Sequence, residues 1–231
     1  MNDQHVLIMG TNAHLPPLVK HLRNQDYRLT IVSHHIPETL TSDNMCTLIH
    51  GDFLAASSFE QLNVSDIDVV ICLAELHNQS SQEADARSTL AAMSMKKINA
   101  NIRAIVEIQN PNSPNQINMD HVDEIIPADA FITEMFALSV INPDINSYRQ
   151  LILEFAHAHN IQLAPIPIDY WGQTFAELQQ SLLTKDKLLI GIRRRHSLTV
   201  TEDIINPNEK IITTDQMVYF DLDPPNTPNQ S

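Results

Sequence analysis

His5-Val6-Leu7-Ile8-Met9-Gly10 is an apolar run that stops on a glycine, and its reading decides the fold. An uninterrupted short run without alternation suits a strand buried on both faces, as in a parallel sheet covered by helices. Leu15-Pro16-Pro17-Leu18-Val19-Lys20-His21-Leu22 follows with helical character. Its prolines fall in the first turn, where N–H groups have no intrahelical partner. Residues 28–32, 46–49 and 68–73 repeat the first run, each apolar on both faces, and 103–108 and 122–126 read as the fifth and sixth strands. Between the fourth and fifth lies the longest helical stretch, Ser81–Ile98, with Ala84, Leu90, Ala91, Ala92, Met93 and Ile98 as its apolar positions and Glu83, Arg87, Lys96 and Lys97 as its polar face. This alternation predicts an α/β fold, a Rossmann-like doubly wound parallel sheet of six strands.

Beyond it the pattern changes. Residues 129–141 form a helix heavy in apolar side chains, Asn142-Pro143-Asp144 breaks it, and residues 148–157 restart a second helix. Phe131, Ile132, Met135, Phe136, Leu151 and Phe155 have little sheet surface left to cover, so a subunit interface is expected; the alternative is that the pair caps its own domain. Residues 161–222 then read as a small α+β lobe, with Pro165 and Pro167 suiting an edge strand, and 223–231 as a disordered tail. The expected division is 1–141 for the Rossmann-like domain, 142–160 for the crossover, 161–222 for the lobe and 223–231 for the tail.

Composition removes several function classes. Only four glycines occur in 231 residues, Gly10, Gly51, Gly172 and Gly191, and no two are closer than nineteen positions. A complete dinucleotide fingerprint or Walker A loop is therefore absent. Fourteen basic against 28 acidic side chains give a net charge of −14, which argues against nucleic acid as a partner. Two cysteines without C-x-x-C spacing suit a reducing compartment. The polar start has no basic region of a secretory signal, and no apolar stretch approaches the ~18–20 residues of a bilayer span, so a soluble chain is expected.

The first 155 positions resemble the RCK (regulator of potassium conductance, Trk-type nucleotide-binding) domain of potassium channels and transporters. The resemblance rests on the order and spacing of His5-Val6-Leu7-Ile8-Met9-Gly10, Gly51-Asp52, Asp68-Val69-Val70-Ile71, Glu83-Ala84-Asp85-Ala86-Arg87, Lys97-Ile98-Asn99-Ala100-Asn101-Ile102-Arg103, Val122-Asp123-Glu124-Ile125-Ile126-Pro127 and the Asn142-Pro143 turn. The remainder is similar to the C-terminal lobe of gating-ring channels through Tyr170-Trp171-Gly172-Gln173-Thr174-Phe175, Leu189-Ile190-Gly191-Ile192-Arg193 and Ile205-Asn206-Pro207. It implies a cytoplasmic, non-catalytic sensor that pairs with itself, assembles into a ring, and couples ligand binding to a pore-forming potassium channel or transporter subunit. It also implies a calcium site at Cys72, Glu107 and Gln109 that has lost two of its three carboxylates, too few oxygens for Ca²⁺. Gly10 and Gly51 fall where such a domain meets ligand, Gly172 and Gly191 where its lobe turns.

In an open α/β sheet the ligand sits beyond the carboxyl ends of the strands, at the switch point. Gly10, Thr11 and Asn12 occupy the phosphate turn, with Asn12 where a close-approach glycine would stand and the following helix start still offering N–H groups to an anion. Ser33-His34-His35 ends the second strand without the acid that would hold the ribose of NAD, so ATP or ADP is the better-suited adenine nucleotide. Asp52 and Glu75 are further candidate contacts. His34, His35, His50 and Cys72 gather near strand ends with His14 and His77, and imidazole and thiolate are zinc ligands; the alternative is eleven histidines that reflect composition alone. Arg193-Arg194-Arg195-His196 is expected at a solvated hairpin tip or against an acidic partner or anionic lipid. Asp85 and Arg87 suit a surface or interface ion pair rather than chemistry. The rival readings are a Rossmann oxidoreductase and a scaffold whose nucleotide site has decayed.

Overall fold

A computed structural model of the chain describes residues 4–59, 62–77, 79–110, 122–142, 145, 150, 155, 161–195 and 201–222. It divides into two compact units, Met1–Ala137 and Leu138–Ser231. The second apolar helix expected over 148–157 and the tail from 223 lie outside the described residues, apart from Gln150 and Phe155.

The first unit is a parallel six-stranded sheet: β1 (His5–Met9), β2 (Arg28–Ser33), β3 (Cys46–His50), β4 (Val69–Cys72), β5 (Arg103–Ile108) and β6 (Glu124–Pro127), in the order β3-β2-β1-β4-β5-β6. The chain winds outward from β1 to β3, then returns to lay β4 on the other side of β1, with Met9 opposite Val32 and Cys72. That reversal makes the loops after β1 and β4 diverge and opens a crevice at their carboxyl ends. On one face α3 (Ser81–Ile98) buries Ala91, Ala92 and Met95 with Leu7, Met9, Val70, Cys72, Ala104 and Val106. On the other α1 (Leu15–Arg23) buries Leu15 and Val19 with Val6, Ile8, Leu29 and Ile31. A four-residue helix, α2 (Ala56–Phe59), follows β3.

The expectation of strands apolar on both faces holds for the central strands and fails at β3. Thr47 and His50 of this edge strand are exposed, because an edge strand has a neighbour on one side only, and so are Glu124 and Ile126 of β6 at the other edge, for which no such expectation stands. The face of α3 is also corrected. Leu90 and Ile98 are exposed, while Asp85 and Ser88 share the buried stripe with Ala84, Ala91, Ala92 and Met95. The start of α3 is fixed by a capping box in which Ser80 Oγ accepts from Glu83 N and the Glu83 carboxylate accepts from Ser80 N.

His5 gives the first unit a pH dependence. Its Nε2 lies 2.9 Å from Thr30 Oγ1 and its Nδ1 is buried with no partner among the described residues, and burial, helped by Arg28, holds the imidazole below its ordinary value of 6.5. In the window between that lowered value and 6.5 the unfolded chain binds more protons than the folded one, so stability rises with pH there and falls as pH drops below 6.5. Chemical unfolding across this window should show that slope, and His5→Gln should flatten it; an unchanged slope in the variant would assign the effect to other groups.

The second unit is antiparallel. Strands β7 (Ile161–Pro165), β8 (Lys187–Arg195), β9 (Thr201–Ile204) and β10 (Gln216–Asp221) lie in the order β7-β10-β8-β9. As the prolines suggest, β7 is an edge strand, paired only with β10. Helix α5 (Phe175–Leu183) packs Phe175, Leu178 and Leu182 on Leu189, Ile192 and Tyr219. These positions recur at helical spacing on one face, and each buried side chain contributes about 1.5–3 kcal/mol. A second capping box, Thr174 with Glu177, starts that helix. Gly172 has φ +84 and occupies a turn as expected. Gly191 does not: it lies inside β8, where an added Cβ would make only ordinary contact, 3.6 Å from Ile204 O.

Helix α4 (Ala128–Ile141) follows β6 directly in the chain. Its side chains Phe131, Phe136, Val140 and Ile141 are 60 %, 72 %, 84 % and 72 % exposed, and Ile132 is nearly half exposed. The sheet also has more free surface than the sequence suggests. Ile71, Ile105 and Ile126 form the floor of an apolar cavity of about 450 Å³, walled by Phe131 and Ile132.

Candidate functional site

All the crevice residues singled out in the sequence lie beyond one edge of the first sheet. Gly10, Thr11 and Asn12 form the turn from β1 to α1, Ser33 closes β2 before His34 and His35, His50 closes β3 before Gly51 and Asp52, Cys72 closes β4, and Glu75 follows it. What the structure brings together is narrower, and it centres on two buried carboxylates.

The first is Glu107 on β5, 5 % exposed. Its Oε2 accepts from Ala74 N at 3.0 Å and from Asn12 Nδ2 at 2.6 Å; its Oε1 accepts from Gln109 Nε2 at 3.0 Å and lies 3.5 Å from His14 Nε2. Asn12 Nδ2 also donates to Ala74 O at 3.1 Å, while Asn12 Oδ1 accepts from His14 N at 2.9 Å. The second carboxylate is Glu75, whose Oε1 accepts from Ser33 Oγ at 2.7 Å, with His35 N donating to the same hydroxyl at 3.1 Å. Thus the end of β2 does have an acid beside it, supplied from the loop after β4.

This arrangement corrects the expected anion-binding helix start. Pro16 and Pro17 have no N–H, His14 N is bonded to Asn12, Leu15 N donates to Asn12 O at 3.2 Å, and Leu18 N to His14 O at 3.1 Å. The donors from His14 to Leu18 that a phosphate would meet at the helix start are thus absent or already bonded. Gly10 is likewise explained by the chain itself: φ is +88, and a Cβ there would stand 2.6 Å from Leu73 O and 3.2 Å from Glu75 Cγ. A Cβ on Gly51 would stand 2.9 Å from Ser58 Oγ, so its glycine too answers to packing.

The metal candidates do not form a set. Cys72 is fully buried in the α3-side core, and burial pushes its thiol well above the ordinary range, away from the thiolate that binds zinc. The His35 and His77 rings lie tilted to each other with centres 4.7 Å apart, and His34 lies 6.3 Å from His35. Among the described residues no group of three or more His, Cys, Asp or Glu side chains could hold a metal ion.

Asp52 and Arg87 form an ion pair, Nη2 to Oδ1 2.7 Å, with the guanidinium 4.9 Å over the Phe53 ring. Burial opposes ionisation of Asp52, but the Leu54 N–H and Arg87 outweigh it and hold the carboxyl below its usual range. Asp85, expected beside Arg87 on the surface, is instead 3 % exposed and accepts from Gln109 N at 2.8 Å and Asn110 N at 3.0 Å, fixing the chain as it leaves β5. Its signal was present in the sequence, since it shares a helix face with Ser88 and Ala92. In the lobe, Arg194 is no solvated tip: it bonds Asp215 through Nε and Nη2, both at 2.9 Å, Glu209 at 2.6 Å and Lys210 O at 2.8 Å. Of the interface candidates, Leu151 lies outside the described residues, Met135 is half-buried, and the Phe155 ring meets Phe220 of its own unit edge to face, 4.9 Å between centres.

Comparison with known proteins agrees with this architecture. The chain is 21% identical over 217 residues to the putative potassium channel protein YugO of Bacillus subtilis (strain 168), covering 93% of this chain and 64% of that protein. The structure is similar to the human SLO3 gating ring, with a TM-score of 0.64 and 16% identity over 94% of this chain and 44% of that one, and to the RCK domain of GsuK, with a TM-score of 0.49 and 11% identity over 95% of this chain and 44% of that one. This chain therefore spans less than two thirds of each. Residues 6–128, which hold all of the six-stranded sheet except His5, match the TrkA-N domain, and the chain belongs to that family.

Proposed function

We propose that this chain is a regulatory, ligand-sensing domain of a potassium channel or potassium transport system, acting on the cytoplasmic side and coupling a bound ligand to a pore. The observation that supports the reading is that one chain holds a six-stranded parallel unit followed by a four-stranded antiparallel lobe, a fold similar to the human SLO3 gating ring over 94% of this chain. Among the described residues no helix is long and apolar enough to cross a membrane, so the pore would be supplied by another segment or subunit. An adenine nucleotide in the crevice would have to be held from the side of Ser33, Asp52 and Glu75, through base and ribose. Such a ligand acts only through its preference for one arrangement of the assembly over another.

Self-association is part of the proposal. The apolar side chains of α4, exposed in the single chain, are the surface for a second copy. Multi-angle light scattering should find a dimer or larger ring, and Phe136→Asp, at an exposed position, should reduce it to monomer without loss of helix content. The same substitution in the full polypeptide should change tracer rubidium uptake in cells deficient in potassium uptake. A wild-type monomer, or uptake indifferent to Phe136→Asp, would sink the reading. The oxidoreductase alternative has less support, because the unit after the sheet is a small four-stranded lobe.

A further inference from the structure

The fold family implies a nucleotide whose phosphates rest on the turn between β1 and α1. The residues present do not fit such phosphates. At this turn a ligand oxygen would seek three kinds of donor: helix-start N–H groups, the N–H groups of the loop after β4, and nearby side-chain amides. The first, from His14 to Pro17, are bonded to Asn12 or removed by the two prolines. The second is represented by Ala74 N, which donates to Glu107 at 3.0 Å. The third are Asn12 and Gln109, whose NH₂ groups donate to the same carboxylate at 2.6 and 3.0 Å.

We infer that Glu107 is the resident anion of this turn, taking the hydrogen bonds that phosphate oxygens take elsewhere in such folds, so that no ligand phosphate enters between Gly10 and Ala74. Asn12 is the coupling element. One end of its amide bonds the carboxylate and the other receives the His14 N–H, so the positive end of α1 is satisfied by Glu107 through a side chain. The glycine that would leave room for pyrophosphate is replaced by the residue that completes this bridge. Glu75 adds a second buried carboxylate against Gly10, and like charges without an intervening cation oppose an incoming phosphate. A bridging metal finds the Glu107 oxygens already engaged by three neutral donors. The inference deepens the proposed function by fixing how the crevice treats its ligand, and it stands or falls separately from self-association.

Nitrogen–proton correlation spectra of the whole chain test it. ADP, ATP and NAD, each with and without Mg²⁺ at about 1 mM, should leave the Asn12, Ala13 and Ala74 amides unmoved in the wild type, whether or not signals near Ser33 and Asp52 respond. A saturable shift of those turn amides would overturn the inference. Glu107→Gln, which removes the charge while keeping the shape, should let ADP and inorganic phosphate shift them, with an apparent affinity about tenfold or more above wild type. A folded Glu107→Gln protein whose turn remains indifferent would also overturn it. Should that variant fail to fold, the wild-type spectra decide alone, joined by Glu75→Gln, which leaves Glu107 and its donors in place and should keep the turn closed.

Discussion

Arg194→Met is expected to destabilise the antiparallel lobe by about 3–5 kcal/mol. The side chain is 12 % exposed and Asp215 is fully buried, and a carboxylate left there without its guanidinium has no water to turn to. The two parallel bonds to Asp215 and the bonds to Glu209 and Lys210 O cannot all be replaced. Arg194→Lys should recover only part of the loss, since an ammonium cannot present the guanidinium's planar fork. Asp215 also accepts from Ile212 N at 2.9 Å, so Arg194→Met/Asp215→Asn should regain stability relative to Arg194→Met alone. Urea unfolding read on lobe signals measures all three. An Arg194→Met loss below about 1 kcal/mol would mean that the network behaves like an exposed ion pair.

Gly10→Val is expected to cost the first unit at least as much, and by another route. At φ +88 a β-branched residue is a steric outlier, costing of order 1–3 kcal/mol, and its Cβ would overlap the Leu73 carbonyl at 2.6 Å. The contact is with the backbone of Leu73, the residue just after β4, whose N–H donates to Met9 O and which continues a strand held in register with β1 from Val6 opposite Val69 to Met9 opposite Cys72. It cannot yield without disturbing that pairing. Gly172→Ala is the matched control, since its φ is also positive but nothing lies within 4 Å. It should cost only the backbone strain of about 1 kcal/mol. Thermal unfolding of the two variants separates strain from overlap, and equal losses would remove the overlap argument.

The parts of the fold legible in the sequence are those whose signal is local. Runs such as Val69–Cys72 and Arg103–Ile108 announce buried parallel strands, and the six-strand sheet follows from their alternation with helices. Strand β9 was missed because Thr201-Glu202-Asp203-Ile204 has no apolar pattern; its pairing with β8 makes it a strand. The candidate crevice was legible as a location and not as chemistry. Asn12 and Glu107 are 95 residues apart, and nothing near either one reveals that they are bonded. Arg194 misled for the same reason: within its own run it looks solvated, and its partners lie 15 and 21 residues further on. Helix α3 differed in kind, because its buried face was readable from spacing, but Asp85 was given to the surface on the strength of its charge alone.

Each unit holds its own nucleating instructions. The α3 capping box of Ser80 and Glu83 serves one core, the α5 capping box of Thr174 and Glu177 another, and the clusters built on Leu7 and on Leu178 share no member. Helix starts fixed by neighbours three residues away form early and need no distant partner. During synthesis the parallel unit can therefore reach its folded state while the lobe is still being made, and damage to the Arg194 network should leave the crevice around Glu107 assembled.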